Sequence, residues 1–203
     1  MSPEFVNRIR DSSQWLRAAR WGEVRPDHPE GTIGRHVEEH LGPFIDLHFR
    51  GLHDYWNLVA LAYLHDIGKP DVERRDGRIH GDAHSVLSAR IAAELGAPDR
   101  LVRVILHNDR TFGYWGRLFD RRGRWQPSRW TDRRRKAFAA EFDPHSVDLE
   151  LLVRFHRADN GYRRAPVLDE TVDPVLWFEN RLLEEGLIGM LPPEGKDKRM
   201  EWP

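Results

Sequence analysis

Residues 55–67 constrain the fold more than any other segment, because this stretch is apolar on every side. A helix at a protein surface carries polar residues on its outer face, so a helix without such a face must be buried. The stretch ends with the charged Asp66, and Pro70 prevents the helix from continuing much further. We therefore predict a buried central helix that carries a carboxylate near its C-terminal end.

The other periodic segments also predict helices rather than strands. Apolar spacing indicates helices over residues 4–20 and 33–49, and start and stop signals indicate several more. These lie at residues 82–95, from 98 onward, from 131 onward, at 146–160 and at 173–186. Asp76-Gly77 predicts one small β-hairpin, and residues 111–130 form the least regular stretch. The expected architecture is all-α.

The composition is that of an ordinary folded chain. Its 203 residues suit one domain, 1–203, with a core at about 33–162 and a C-terminal helix and tail at 171–203. No apolar run reaches the roughly 18 to 20 residues that span a bilayer, and the N-terminus is too polar for a signal peptide. We therefore expect a cytoplasmic protein without membrane contact. The chain has 11 histidines and no cysteine, so a metal would be bound by imidazole and carboxylate groups.

The pair His65-Asp66, at the end of the buried helix, is the first candidate for such a site. A buried carboxylate is costly unless it is paired or binds a metal. Adjacent helical residues point about 100° apart, so any further ligands must come from other helices. The flanking predicted helices offer four residues of the right type: His36, His84, His107 and Asp159.

Taken in this order, the residues resemble the HD superfamily, whose signature is a His, an adjacent His-Asp pair and a distant Asp. LAYLHDIGKP is similar to that motif in the HD domains of tRNA nucleotidyltransferases and related phosphohydrolases. DGRIHGDAHSVLSARIAAELGAP and LVRVILH resemble the segments that follow it, so the resemblance covers residues 36–162. It implies an HD-domain helical bundle, here with a small β-hairpin and an Arg/Trp-rich insertion.

The resemblance also implies a ligand set. One metal would be bound by four residues: His36, His65, Asp66 and Asp159. If there are two metals, Asp66 would bridge them and His84 and His107 would complete the second site. Imidazoles mixed with carboxylates suit one or two ions of Mn, Fe, Co, Ni or Zn better than Ca or Mg. Asp66 and Lys69 are the catalytic candidates, because Lys69 can stabilise charge on a phosphate.

The position of the first ligand is open. His40 lies one helical turn after His36, on the same face of the predicted helix. We favour His36. No Gly-Tyr-Pro triplet follows the His-Asp pair, which argues against the subgroup that hydrolyses cyclic di-GMP.

Residues 110–136 are rich in arginine with interleaved aromatic residues. Such a mixture suits phosphate binding together with base stacking. The alternative is a solvated loop whose tryptophans pack on the domain. Four basic residues are predicted to bind substrate: Lys69, Arg110, Arg117 and Arg163.

The predicted function is metal-dependent hydrolysis of a phosphate monoester or diester, with a phosphorylated small molecule or a nucleic-acid end as the substrate. One alternative is an oxygenase with a mixed-valent di-iron centre, because HD proteins of that kind use all six ligands. The other is a non-catalytic module that binds nucleic acid through the arginine-rich stretch. The oligomeric state is not predicted.

Overall fold

Helices make up most of the computed structural model, which confirms the all-α prediction. The structure describes five segments: residues 1–24, 29–75, 78–80, 82–161 and 169–189. The chain divides into two compact units, Met1–Leu106 and His107–Pro203, which are described separately below. The single domain expected from the sequence stays a prediction.

The first unit contains most of the helical segments. They are α1 (Pro3–Arg10), α2 (Ser13–Ala18), α3 (Ile33–Arg35), a π-helical segment (His36–Leu41), α4 (Gly42–Phe49), α5 (Tyr55–Leu64), a 3-10 turn (Lys69–Asp71), α6 (His84–Glu94) and the start of α7 (Asp99–Gly116). Strand β1 (Glu73–Arg75) pairs antiparallel with β2 (Arg78–His80). Residues 76–77, where the sequence predicts the turn, lie outside the described residues.

Helix α5 is the buried helix that the sequence predicts. Leu58, Leu61 and Leu64 have no exposed surface, and α5 packs against α1, α4, α6 and the π-helical segment. The helix ends at Leu64 rather than at residue 67. The chain then turns, and the backbone N–H of Lys69 donates to the carbonyl of Asp66 at 3.0 Å. The His-Asp pair is therefore at a helix end with buried surroundings.

The single helix predicted over residues 4–20 is wrong, because Ser12 divides it. The Ser12 hydroxyl donates to the carbonyl of Ile9 and accepts from the backbone N–H of Trp15. A serine that caps a new helix in this way stabilises the break between α1 and α2. Trp15 is buried by this second helix.

The second unit contains the rest of α7, a 3-10 turn (Pro127–Arg129), α8 (Asp132–Glu141), α9 (Leu149–Gly161) and α10 (Pro174–Glu184). Helix α7 runs to Gly116, so the irregular stretch begins later than predicted. The core of this unit is aromatic: Phe138, Phe142, Trp177 and Phe178 are completely buried. The Trp130 ring packs edge-on against Trp177 with centroids 5.2 Å apart. Part of the Arg/Trp-rich stretch therefore belongs to the core.

Candidate metal centre

The ring of His65 is held in one orientation by the end of helix α5. Its Nδ1 lies 3.0 Å from the carbonyl oxygen of Ala62 and 3.2 Å from that of Leu61. A carbonyl oxygen only accepts, so Nδ1 donates to it, and Nε2 is the nitrogen left to bind a metal. Metal-binding histidines are commonly oriented in this way by a carbonyl group on the other nitrogen. Nε2 of His65 lies 3.4 Å from an Asp66 carboxylate oxygen, Oδ2.

His36 lies in the π-helical segment and is 4% exposed. Its ring centroid is 5.5 Å from that of His65. Single π-helical turns often occur at functional sites. His40, the alternative first ligand, is only partly buried. His36 is therefore the more buried of the two candidate ligands from this segment.

Glu30 is a residue of this site that the sequence analysis missed. Its Oε1 lies 3.5 Å from Nδ1 of His36, and its side chain is 4% exposed. A carboxylate beside one imidazole nitrogen fixes the ring and raises the basicity of the other nitrogen. The only sequence signal is an acidic residue six positions before His36, in the loop that leads into the helix.

Asp66 presents a different carboxylate oxygen to each of two histidines. Oδ2 faces His65, and Oδ1 lies 3.4 Å from Nε2 of His84. Lys69 donates from Nζ to Oδ2 at 2.5 Å. Burial raises the pKa of Asp66, but the neighbouring charges of His65, Lys69 and His84 outweigh it and hold that pKa well below the usual range for aspartate. Asp66 is therefore an anion whose two oxygens face two different imidazoles.

Gly68 brings helix α6, and with it His84, close to Asp66. Its backbone N–H donates to Oγ of Ser88 at 2.9 Å. A Cβ atom at position 68 would lie 2.5 Å from the backbone nitrogen of Ser88 and 2.7 Å from Cβ of Leu87. These distances are too short for any side chain. Only glycine permits this approach of α6, whose first residue is His84.

The donor set of the first unit fits a transition metal. It offers three imidazoles and the Asp66 carboxylate, and His36, His65 and Asp66 are buried. Imidazole and carboxylate ligands together suit Mn, Fe, Co, Ni or Zn. The residues that orient the imidazoles of His36 and His65 are also present, as metal sites require. The first unit therefore offers the donor types of a site for a divalent metal.

The second unit contains the other predicted ligands. In α7, Nε2 of His107 lies 3.9 Å from Oε1 of Glu141, and Nε of Arg110 lies 3.6 Å from the same oxygen. Asp159 is buried in α9. The metal-binding roles of His107 and Asp159 stay predictions.

The remaining predicted residues are placed as follows. Arg117 is exposed, and its guanidinium lies over the ring of Tyr114, 5.6 Å from the centroid. Arg163 lies outside the described residues. His156, one helical turn before Asp159, has no exposed surface, and its Nε2 lies 3.1 Å from the carbonyl of Asn108.

A family model of the HD domain matches residues 29–157, and the chain belongs to this family. The matched region includes every predicted metal ligand except Asp159, which follows it by two residues. HD domains are generally metal-dependent phosphohydrolases, and their substrates in general are phosphate esters. Neither the curated proteins nor the solved structures gave a match. No helix in the described part of the chain is long and apolar enough to cross a membrane.

Proposed function

We propose that this protein is a metal-dependent phosphohydrolase that cleaves a phosphate ester in a nucleotide or at the end of a nucleic acid. The observation that carries the proposal is the arrangement around Asp66, whose two carboxylate oxygens face two different imidazoles. A structural ion pair needs only one such contact. Two contacts in different directions are what a carboxylate shared between two metals requires.

The proposed ligands follow from this arrangement and from the HD resemblance. One ion would be bound by four residues: His36, His65, Asp66 and Asp159. Asp66 would be shared with a second ion, for which His84 and His107 are the further ligands. A bound metal supplies Lewis acidity and lowers the pKa of water toward neutrality. The protein supplies orientation, since Glu30 and the carbonyls of α5 fix two of the imidazoles.

Lys69 is the proposed phosphate contact of the first unit. Its side chain is 19% exposed, whereas that of its partner Asp66 is 9% exposed, so Lys69 is the more accessible residue of the pair. An ammonium has three donors, and one hydrogen bond to Asp66 leaves others for a phosphate oxygen. The positive charge then offsets the negative charge that develops on the phosphate. Arg110, Arg117 and Arg163 are proposed as further substrate contacts.

The proposal is tested by metal analysis combined with a hydrolysis screen. Protein loaded with Mn, Co or Ni would be assayed on phosphomonoesters and phosphodiesters, including nucleotides and oligonucleotide ends. We expect Asp66→Ala to lose both the bound metal and the turnover. Asp82→Asn removes an exposed carboxylate that pairs with Arg90, and it should leave both unchanged. Full activity of Asp66→Ala with an unchanged metal content would overturn the proposal.

The same preparations separate the other two functions expected for such a chain. Iron-loaded protein that consumes oxygen but hydrolyses none of the esters would be an oxygenase. Salt-dependent nucleic-acid binding without metal-dependent turnover would indicate a binding module.

A further inference from the structure

The second unit contains a cavity of about 600 Å³ whose lining includes four arginines: Arg117, Arg129, Arg133 and Arg134. Three hydroxyl groups, from Tyr114, Ser128 and Thr131, also line it. We propose that this cavity, the arginine pocket, binds a small molecule that carries several phosphate groups. The inference goes beyond the proposed function, and Arg117 is the one residue that both share.

The lining of the arginine pocket contains no acidic residue. Within the part of the chain that the structure describes, none of its four arginines forms a direct ion pair. The backbone N–H of Arg124 contributes most to the lowered pKa of Asp120, and the charge of Arg129 contributes least.

Other arginines of the same stretch have carboxylate partners. Arg124 pairs with Asp120 and Arg135 pairs with Glu185, each with nitrogen and oxygen 2.8 Å apart. Among the described residues, the four pocket arginines thus differ from Arg124 and Arg135 in having no carboxylate partner. Like charges held together cost free energy unless an anion binds between them.

Neutral groups hold several of these guanidinium groups in place. Arg129 donates from Nη1 to the carbonyl of Phe119, and Arg134 donates from Nη1 to the carbonyl of Arg129 at 2.7 Å. Arg117 lies over the ring of Tyr114. These contacts fix position without cancelling charge. A binding site that is organised in advance loses less conformational entropy when its ligand arrives.

The walls of the pocket are attached to the core of the second unit. The Tyr114 ring meets that of Phe138 edge-on with centroids 5.3 Å apart. Trp130, which lies between two lining residues in sequence, packs against Trp177 and Phe138. This packing of Trp130 is what a loop with its tryptophans on the domain predicts, and it attaches the pocket to the core.

Size and charge together define the ligand. The volume falls within the roughly 300 to 1,000 Å³ of small-molecule sites. Guanidinium groups bind phosphate oxygens in pairs, so four of them match more than one phosphate group. The hydroxyls of Ser128 and Thr131 can donate to further oxygens. A chain of two or three linked phosphates, free or on a nucleoside, fits this description.

The test is calorimetric titration of the metal-free full-length protein with inorganic triphosphate. The double variant Arg117→Gln/Arg133→Gln removes two lining charges that make no hydrogen bond to the backbone among those described. Its Kd should rise about 10-fold or more, since hydrogen bonds to charged groups are the strong ones. The matched control Arg121→Gln/Arg122→Gln removes two exposed charges of the same stretch outside the pocket, and its Kd should change less than about 2-fold.

Three results would overturn the proposal. The first is equal weakening in both double variants, which would mean diffuse attraction to the basic stretch. The second is loss of triphosphate binding in Asp66→Ala, which would place the ligand at the metal centre. Retained binding in that variant supports a separate site, whether or not the proposed function holds. The third is tighter binding of a single-stranded oligonucleotide than of triphosphate, which would make the site a nucleic-acid surface.

Discussion

The candidate metal centre and the arginine pocket hold their charges in opposite ways. Around Asp66 the carboxylate is buried, and it faces two imidazoles and an ammonium within the first unit. In the arginine pocket the guanidinium groups contact carbonyls and a ring instead of carboxylates. A buried charge must be compensated by the protein itself, because water cannot do so. A charge near the surface can stay uncompensated and remain available to a ligand.

The largest effect is expected when a metal ligand is removed. His36→Ala should weaken metal binding by more than about 100-fold, which exceeds the usual effect of an outer partner. The matched control is His40→Ala, four residues away in the same π-helical segment, which should change affinity little. Competition with a chromophoric chelator measures both. A larger loss of metal affinity in the His40 variant would identify His40 as the ligand instead.

The next effect concerns a residue that does not itself bind the metal. Glu30→Gln should weaken metal binding by about 10-fold to 100-fold. The neutral amide lacks the negative charge that stabilises a proton on Nδ1 of His36 and raises the basicity of Nε2. Glu38→Gln is the control, since Glu38 is exposed and its nearest described charged partner is Arg10 at 4.0 Å. The same chelator competition applies. Equal metal affinities in the two variants would mean that Glu30 does not support metal binding.

A smaller effect is expected from a methyl group at Gly68. Gly68→Ala should lower the free energy of unfolding by about 1–3 kcal/mol, because α6 must move to accept the side chain. Gly113→Ala, in α7, is the same change where nothing lies within 4 Å of the new methyl group. It should raise the free energy of unfolding by about 0.5–1 kcal/mol. Denaturant titration measures both, and two changes of the same sign would contradict the packing described here.

The smallest effect concerns Arg133, whose charge lines the arginine pocket. Arg133 lies in the first turn of α8, where a positive charge opposes the helix dipole. Arg133→Gln should therefore raise the Tm by about 1–3 °C at low salt, and the gain should shrink at high salt. Arg121→Gln, outside any helix, should leave the Tm unchanged. A lower Tm for Arg133→Gln would mean that this charge stabilises the fold.

The sequence predicted the parts of the structure that depend on neighbouring residues. The apolar stretch around Leu61 predicted the buried helix, and the HD resemblance included His65 and His84, which face Asp66. The sequence could not predict the π-helical segment, because the apolar spacing of that segment is close to that of an α-helix. Nor could it predict Glu30, since the contact with His36 depends on how a loop folds back.

Contacts between distant residues also decide which arginines of the basic stretch are paired. The sequence showed many arginines, but not which of them have carboxylate partners. The partner of Arg135 is Glu185, fifty residues further along the chain. Only tertiary structure separates such paired arginines from those of the pocket.

The packing of Trp130 also gives the arginine pocket an optical signal. The indole lies between Arg129 and Thr131 in sequence, and its ring touches that of Trp177 in the core. A ligand that draws the two flanking residues together will alter the surroundings of that indole and hence its fluorescence. Trp130→Phe would remove the signal while keeping an aromatic ring, so titrations of the two proteins would show whether the emission reports on the pocket.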